Sequence, residues 1–510
     1  MANNIAKNLP VSKVLIIGAE VSPYASVGGQ ARVLTYLSKA LMELGVDVRV
    51  FMPKFGFIDE KEYKTEMVYK NLAVPTGHVK NGPKDLVCNV KVSKIKNHAP
   101  TYFLENMEYY EKRTNVYGYS DDPIRWALLS RGVLEFLRKS NWVPDVIHAN
   151  DWHTGLVPNF LKTVYEEDKI LSKITSVFTI HNLSFQGNFD HKNVSEMDFD
   201  DGRSVVSAFF NKRLKMQNFM KRGIIYADAV NTVSETYSRE ILTPACGEGL
   251  DTLLMELRSK LFGIVNGIDY SEFDPKTDKL LAKNYDTSTL KSRCENKIAL
   301  QKEFGLKEDE SIPVLAYEGR LDSQKGLDLV FAILWPLLRD FDIQFVQVGG
   351  GSGHYVEVLK KLKAVFPEKV GIHPMPNFTL PRLIFSGADM ILMPSKFEPC
   401  GIVQLEAMRY GCVPIVRATG GLGDTVSDFN PDTKEGAGFV FKNYDKWQFF
   451  AQVVRALETY RHKDVWRKVQ LNAMKSDFSW ENSAKKYLDF YGKAVYFHEQ
   501  GKETISEGAV

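Results

Sequence analysis

Long apolar runs are missing from this chain. No stretch approaches the roughly 18 consecutive apolar residues of a membrane-spanning helix, which argues against a membrane protein. The apolar stretch Val14 to Ala19 is too short for the core of a secretory signal, which needs roughly 7–15 residues. It reads instead as a buried strand. Cysteine is scarce and unpatterned. The five residues Cys88, Cys246, Cys294, Cys400 and Cys412 are odd in number, widely spaced and free of any C-x-x-C. That excludes a disulfide framework, offers no zinc pattern and predicts a reducing, cytoplasmic setting. An excess of either charge is also absent: Lys+Arg 65 against Asp+Glu 63 leaves a net +2. Such a balance does not suggest a nucleic-acid partner, although a local basic pocket remains compatible with it. There is no low-complexity tract and no short-period repeat.

What is present is ordinary globular material. Of 510 residues, 44% are hydrophobic and 25% charged, which leaves ample substance for a core. At about 150 residues per domain the length suits three domains, or equally two large α/β ones. The run KVLIIGA at 13–19 is followed by a loop with Pro23 and Gly28-Gly29. Helical periodicity then runs from Gln30 to Leu44, through Val33, Leu34, Leu37, Ala40 and Leu41. Gly45 stands where a helix C-cap would, and Val46 to Met52 reads as the next strand, completing a βαβ unit. Similar short strands recur at Val143–Ala149, Thr175–Ile180 and Ala229–Val233, which predicts an open, parallel, doubly wound sheet. A second series follows at Val314–Glu318, Ile343–Val348, Val370–His373, Met390–Met393 and Val413–Arg417, with helical patterns between, such as Leu327–Leu338 and Ile402–Tyr410. The chain thus divides near 262–266, into a domain at 1–263, a like domain at 264–480, and a C-terminal helical segment at 481–510 that is expected to cross back to the first. Helical patterning begins as early as Trp447. Two such sheets facing each other would enclose a cleft beyond the carboxyl ends of their strands.

The residues at those strand ends carry the chemistry. Gly28 and Gly29 stand before a helix, where backbone N–H groups and the helix dipole suit an anion, or where a tight turn simply needs glycine. No G-x-G-x-x-G accompanies them, which speaks against a nicotinamide dehydrogenase. The cluster Gly349-Gly350-Gly351-Ser352-Gly353 is either a nucleotide-approach loop or a flexible turn. Arg320 and Lys325, in YEGRLDSQKGLDL, follow a strand directly. Two cations five residues apart at such a place can face one diphosphate, and a unit-charge pair at 4 Å is worth about 4 kcal/mol at an effective dielectric of 20. Read as an average pair, they would be solvated surface cations. Glu398 and Glu406, in KFEPCGIVQLEAM, fall in a loop and on the helix after it. Such carboxylates can bind sugar hydroxyls, but their spacing alone does not make a glycosidase. His181 (in FTIHNLSFQG), Asp151 and His153 (in HANDWHTG) also lie at strand ends, where a lone histidine is commonly just a hydrogen-bonded core residue. Asp198-Phe199-Asp200 imitates a metal motif but has no strand before it.

Taken in order, HANDWHTGLVP, FTIHNLSFQG, NTVSETYSREI, VNGIDYSEFDP, YEGRLDSQKGLDL, PSKFEPCGIVQLEAMRYG and ATGGLGDTV resemble the bacterial glycogen synthases and plant starch synthases. The resemblance spans about residues 13 to 490. It implies an α/β fold of GT-B type, with two Rossmann-like domains facing across a cleft. It implies transfer of glucose from a nucleotide sugar, usually ADP-glucose, to the non-reducing end of an α-1,4-glucan such as glycogen or a maltooligosaccharide. Configuration is retained, and neither a metal nor a resident cofactor is required. By the same resemblance Arg320 and Lys325 bind the donor diphosphate and stabilise it as it leaves. Glu398 contacts the donor glucose, and Cys400 beside it shapes that pocket. His181 lies near the glucose C6 hydroxyl. Asp151 sits on the acceptor side. Gly28, Gly29, Thr419, Gly420 and Gly421 bind the donor, the last three by offering backbone N–H groups to its phosphate. The phosphate itself takes the acceptor proton, and closure of the two domains excludes water.

Two departures stand out. The family's phosphate loop usually reads K-x-G-G-L, whereas here it is Ser26-Val27-Gly28-Gly29-Gln30, with Arg32 where an acidic residue is usual. One cation is lost and another gained nearby, and lysine and arginine are not interchangeable. The segment His373-Pro374-Met375-Pro376-Asn377 also lacks the family's usual aromatic residue, which leaves the donor open between ADP-glucose and UDP-glucose. Glu406, conversely, completes the E-x7-E pattern of related retaining transferases. The readings that compete are a GT-B transferase with another donor or acceptor, and an inactive glucan-binding relative. Arg320, Lys325 and Glu398 are all intact, which an inactive relative has no reason to keep.

Overall fold

The structure, a computed structural model, describes residues 11–77, 82–189, 200–206 and 208–507. The chain folds as two units. The first is Met1–Val233 with Ser238–Ile264 and Trp480–Val510, and the second is Val265–Ser479 with Ser234–Tyr237.

The first unit is built on nine strands: β1 (Lys13–Ile17), β2 (Asp47–Pro53), β3 (Glu66–Pro75), β4 (Asp85–Ser93), β5 (Thr101–Glu105), β6 (Val146–Asn150), β7 (Thr175–Ile180), β8 (Ala229–Thr232) and β9 (Leu261–Gly263). Their order in the sheet is β3-β4-β5-β2-β1-β6-β7-β8-β9. Every residue of β6, β7 and β8 is buried, as parallel strands covered on both faces require. The first helix, Gly29–Glu43, buries Val33, Leu34, Leu37, Ala40 and Leu41. It ends as the periodicity predicts: Gly45 takes φ +93°, its N–H donates to Met42 O, and Val46 N–H donates to Leu41 O, a Schellman cap.

The sheet departs from the expected all-parallel order at one edge, as doubly wound sheets can. β3 pairs antiparallel with β4, and β4 antiparallel with β5. This edge is a solvated hairpin: six of the ten residues of β3 are exposed, so it carries no buried apolar run that composition would reveal. The expected strand at Val143–Ala149 begins three residues later, at Val146.

The second unit carries β10 (Val314–Glu318), β11 (Gln344–Val348), β12 (Val370–His373), β13 (Met390–Met393), β14 (Val413–Arg417) and β15 (Phe439–Phe441), in the order β12-β11-β10-β13-β14-β15. All neighbours are parallel. Crossover from β12 back to β13, on the far side of β10, creates the topological switch point at which such sheets bind ligands.

The C-terminal helical pattern resolves into three helices, Lys446–Arg461, Lys463–Lys475 and Trp480–Glu507. The last belongs to the first unit and is tied there by polar groups as well as apolar ones. Tyr491 Oη lies 2.9 Å from His148 Nδ1, and His148 Nε2 lies 2.6 Å from Thr179 Oγ1. His498 Nδ1 stands 3.2 Å from Asp228. No described helix is long and apolar enough to cross a membrane.

Candidate active site

The site residues of the second unit sit on the loops that leave the carboxyl ends of β10, β13 and β14. The loop after β10 runs Gly319 to Gly326 and closes in a single helical turn, Ser323–Lys325, capped by Asp322, whose side chain accepts from Lys325 N–H at 3.2 Å. Gly326 follows at φ +71°, and a Cβ built there would meet Pro394 O at 2.1 Å. Only glycine lets this loop lie against the loop after β13. That contact brings the side chains together. Lys325 Nζ lies 2.7 Å from Glu398 Oε2, which also accepts from Ser395 Oγ at 3.0 Å. Glu398 is buried, while Lys325 keeps 22% of its side chain exposed. Arg320 reaches outward, 3.1 Å from Asp322 Oδ2, with its side chain 63% exposed.

The helix Gly420–Thr425, after β14, packs on the same loop. A Cβ on Gly420 would meet Glu398 O at 1.8 Å, and one on Gly421 would meet Cys400 O at 2.0 Å. The expectation that Thr419 and Gly421 offer their N–H groups to phosphate does not match this geometry. Thr419 N–H donates to Arg417 O at 2.9 Å, and Gly421 N–H to Glu398 O at 3.1 Å and Pro399 O at 3.2 Å. The glycines are needed for close approach, and the Gly421 amide fastens the Glu398 loop. Cys400 is buried, and burial pushes its thiol up to about 12, which leaves it neutral and unreactive. Glu406 is buried in the first turn of the helix Val403–Arg409. The glycine cluster after β11 proves to be packing as well: a Cβ on Gly349 would meet Gly319 O at 2.0 Å, and one on Gly351 would meet Leu321 O at 2.4 Å.

In the first unit the carboxyl ends of β6 and β7 bring Asp151 and His181 together. Asp151 Oδ1 accepts from His181 N–H at 2.8 Å, and Oδ2 from Gln30 Nε2 at 3.3 Å. Asp151 adopts φ +57°, ψ 176°, a conformation that a non-glycine residue holds only when its surroundings fix it, and such residues gather at functional sites. Burial pushes its carboxyl up to about 7, against the lowering effect of the His181 and Asn182 amides. His181 Nε2 lies 3.0 Å from Asn150 Oδ1. The Asn150 Nδ2 group donates to Ile17 O and His148 O, so its oxygen is the acceptor and His181 carries its proton on Nε2. Burial pushes this imidazole down to about 3, which keeps it neutral with Nδ1 as an acceptor. His153 is packed at 3.8 Å between ring centroids on Trp152 and is likewise held neutral by burial.

Gly28 departs from the sequence reading. Its N–H donates to the Glu20 carboxylate, at 3.1 Å and 3.0 Å to the two oxygens, and Val27 N–H donates to the same group. An anion does sit on these amides, but the chain supplies it. Glu20 is 2% exposed, and burial raises its carboxyl above the ordinary value. It was not among the expected site residues. Its only trace in the sequence is an acidic residue at the end of an apolar strand, where a carboxylate needs partners. Gly29 opens the helix, and a Cβ there would meet nothing within 4 Å. Of the metal-like motif, Asp198 and Phe199 lie outside the described residues. Asp200 pairs with the fully buried Arg222 at 2.7 Å, a structural role. Among the described residues no group of three His, Cys, Asp or Glu side chains is placed to hold a metal ion.

Comparison with known proteins agrees along the whole length. Residues 13–256 match the starch synthase catalytic domain, and residues 299–469 match the glycosyl transferases group 1 family. A glycogen synthase of Clostridium beijerinckii is 42% identical over 484 residues, 94% of this chain and 98% of its own. One of Desulforudis audaxviator is 40% identical over 494 residues, covering 95% and 96%. Among solved structures, the catalytic domain of starch synthase IV from Arabidopsis thaliana, bound to ADP and acarbose, superposes with a TM-score of 0.82 at 29% identity, covering 95% of this chain and 99% of that one. Sucrose-phosphate synthase from Thermosynechococcus elongatus shares the fold at a TM-score of 0.56 and 19% identity. With two Rossmann-like sheets and these relatives, the chain belongs to the glycogen and starch synthase family, GT-B glucosyltransferases that extend a glucan.

Proposed function

We propose that this enzyme transfers glucose from a nucleoside diphosphate glucose, ADP-glucose in the first instance, to the non-reducing end of an α-1,4-glucan, with retention and without a metal or a resident cofactor. The observation that carries the reading is the Lys325–Glu398 pair at 2.7 Å, set at the carboxyl edge of β10 and β13. A cation suited to a leaving diphosphate beside a carboxylate suited to sugar hydroxyls is what this reaction needs. The bound ADP and acarbose of the Arabidopsis starch synthase favour the same pair of substrates.

In this reading the bond between glucose C1 and the phosphate oxygen breaks as Lys325 and Arg320 take up the developing charge. A preorganised cation at such a position contributes about 10²–10³-fold to turnover. The acceptor O4 arrives on the same face and bonds to C1, and its proton passes to the departing phosphate oxygen. Glu398 holds the glucose, and neutral His181 accepts a hydrogen bond from a sugar hydroxyl at Nδ1. Asp151 stands on the acceptor side. The aromatic-free His373 to Asn377 stretch leaves UDP-glucose as the specific alternative donor.

The test is release of nucleoside diphosphate from ADP-glucose and UDP-glucose in parallel, with and without glycogen, in buffer containing EDTA. Glycogen-dependent ADP release supports the reading. Glycogen-dependent UDP release replaces the donor, and release abolished by EDTA overturns metal independence. No release from either donor overturns the proposed activity.

A further inference from the structure

The amino edge of the second unit's sheet carries a concave site that shares no residue with the loops at the carboxyl edge. A cavity of about 380 Å³ opens there, beside Ser311, which precedes β10, and Asp389, which precedes β13. The donor-side residues Lys325 and Glu398 follow those same strands at the opposite, carboxyl edge.

The cavity is cationic in a chain that is nearly neutral. Five Lys or Arg side chains line it against two carboxylates, Glu310 and Asp389. The floor is self-contained. Lys297 Nζ donates to Asp389 Oδ2 at 2.8 Å, Tyr460 Oη at 2.8 Å and Glu310 O at 2.9 Å, which uses all three of its hydrogens. Arg293 is held by the carbonyls of Phe385, Ala388 and Tyr410. The rim is not. Among the described residues no carboxylate forms an ion pair with Lys291, Lys463 or Arg467, whereas the buried Arg125, Arg222 and Lys297 all have one.

The rim cations are only partly compensated: Lys463 Nζ lies 3.3 Å from the centre of the Tyr460 ring, which offsets part of its charge. Lys463 and Arg467 stand at i and i+4 on the helix Lys463–Lys475, where like charges repel. Lys463 is also the first residue of that helix, where the dipole disfavours a cation. Partial burial holds its ammonium below the ordinary value, with Lys297 acting in the same direction and Asp389 opposing. Trp466, 3% exposed and stacked on Phe439, gives the cavity an apolar wall between the two helix cations.

We propose that this pocket binds a small phosphorylated anion, a phosphomonoester or a diphosphate, whose oxygens engage Lys291, Lys463 and Arg467. The site is distinct from that of the sugar donor, and its existence does not depend on which nucleotide the donor carries.

Calorimetric titration with glycerol 3-phosphate and with inorganic diphosphate tests it, on the wild type, on Lys463→Ala/Arg467→Ala and on Lys325→Ala. The expected result is saturable binding of at least one probe to the wild type and to Lys325→Ala, weakened at least tenfold in the double variant. Both substituted side chains lie on the helix exterior, and Lys463→Arg/Arg467→Lys, which conserves charge, is expected to retain the binding. No saturable binding to the wild type overturns the proposal. So does binding that disappears in Lys325→Ala and survives in Lys463→Ala/Arg467→Ala, because the anion then occupies the donor site alone.

Discussion

The two units present the same geometry, loops beyond the carboxyl ends of parallel strands, and opposite electrostatics. In the second unit the site is ionic: Lys325 and Glu398 are paired at 2.7 Å, with Arg320 exposed beside them. In the first unit it is poor in fixed charge. His181 is held neutral, Asp151 is pushed up to about 7, and Glu20 is spent on backbone amides. In the proposed reaction this contrast suits a leaving diphosphate, which needs full charge set against it, and sugar hydroxyls, which need shaped hydrogen bonding and a dry surrounding.

Lys325→Ala should break the ionic half most severely. Turnover is expected to fall about 10²–10³-fold, because the lost cation acts where charge develops. Glucan affinity should stay nearly unchanged. Steady-state kinetics together with a glycogen-binding assay check this, and equal loss of both would remove Lys325 from its assigned role.

Glu398→Gln sharpens the same comparison with a smaller loss. The amide keeps the shape and the Ser395 contact but releases Lys325 from its carboxylate. Turnover should fall about tenfold or more, while ADP, measured as a competitive inhibitor, should bind more tightly because it no longer competes with Glu398 for the ammonium. A parallel weakening of ADP would mean that the pair serves the fold rather than the phosphate.

How much of this was legible in the residues differs between the same two regions. Five of the second unit's six strands stand in the sequence almost to the residue, as short apolar runs, whereas β15, three residues long, carries too little pattern to be read there. The pairing of Lys325 with Glu398 is less visible, because 73 residues separate them and only the sheet order joins β10 to β13. The loop glycines have two different reasons that no local pattern tells apart. Gly28 does offer its amide to an anion, the Glu20 carboxylate of the chain itself. Gly420 and Gly421 look alike before their helix, but the close approach of the Glu398 and Cys400 backbones demands glycine there. The hairpin β3–β4 left no signal because its outer strand faces water.

Asp151→Asn probes the weakly charged half. The folded carboxyl titrates near 7 against an ordinary value of 3.8, so the folded state holds this proton more tightly than the unfolded chain. Ionising it therefore costs stability. That cost is absent below about pH 4, grows as the pH rises, and is complete above about 7. The thermal midpoint of the wild type should include a decline across this range that Asp151→Asn lacks. If the ionised form serves the acceptor, kcat/KM for glucan should fall below about pH 7 in the wild type, and the variant should be about tenfold slower with a flat profile. An unchanged profile would remove Asp151 from the acceptor side.

Ser26→Lys asks whether the first unit has given up a phosphate contact altogether. Ser26 is exposed and lies 3.2 Å from Ser22 Oγ, so a longer side chain meets no packing obstacle. Glu20 already occupies the neighbouring amides, and a lysine there would restore charge without freeing any N–H. An exposed ion pair is worth up to about 1 kcal/mol, which is about fivefold in affinity at most. The donor KM should fall two- to fivefold in the variant at low salt, and the gain should fade as ionic strength rises and the Debye length shrinks. A KM that does not move at any salt concentration would place this loop out of reach of the donor phosphate, and would leave the diphosphate wholly to Arg320 and Lys325.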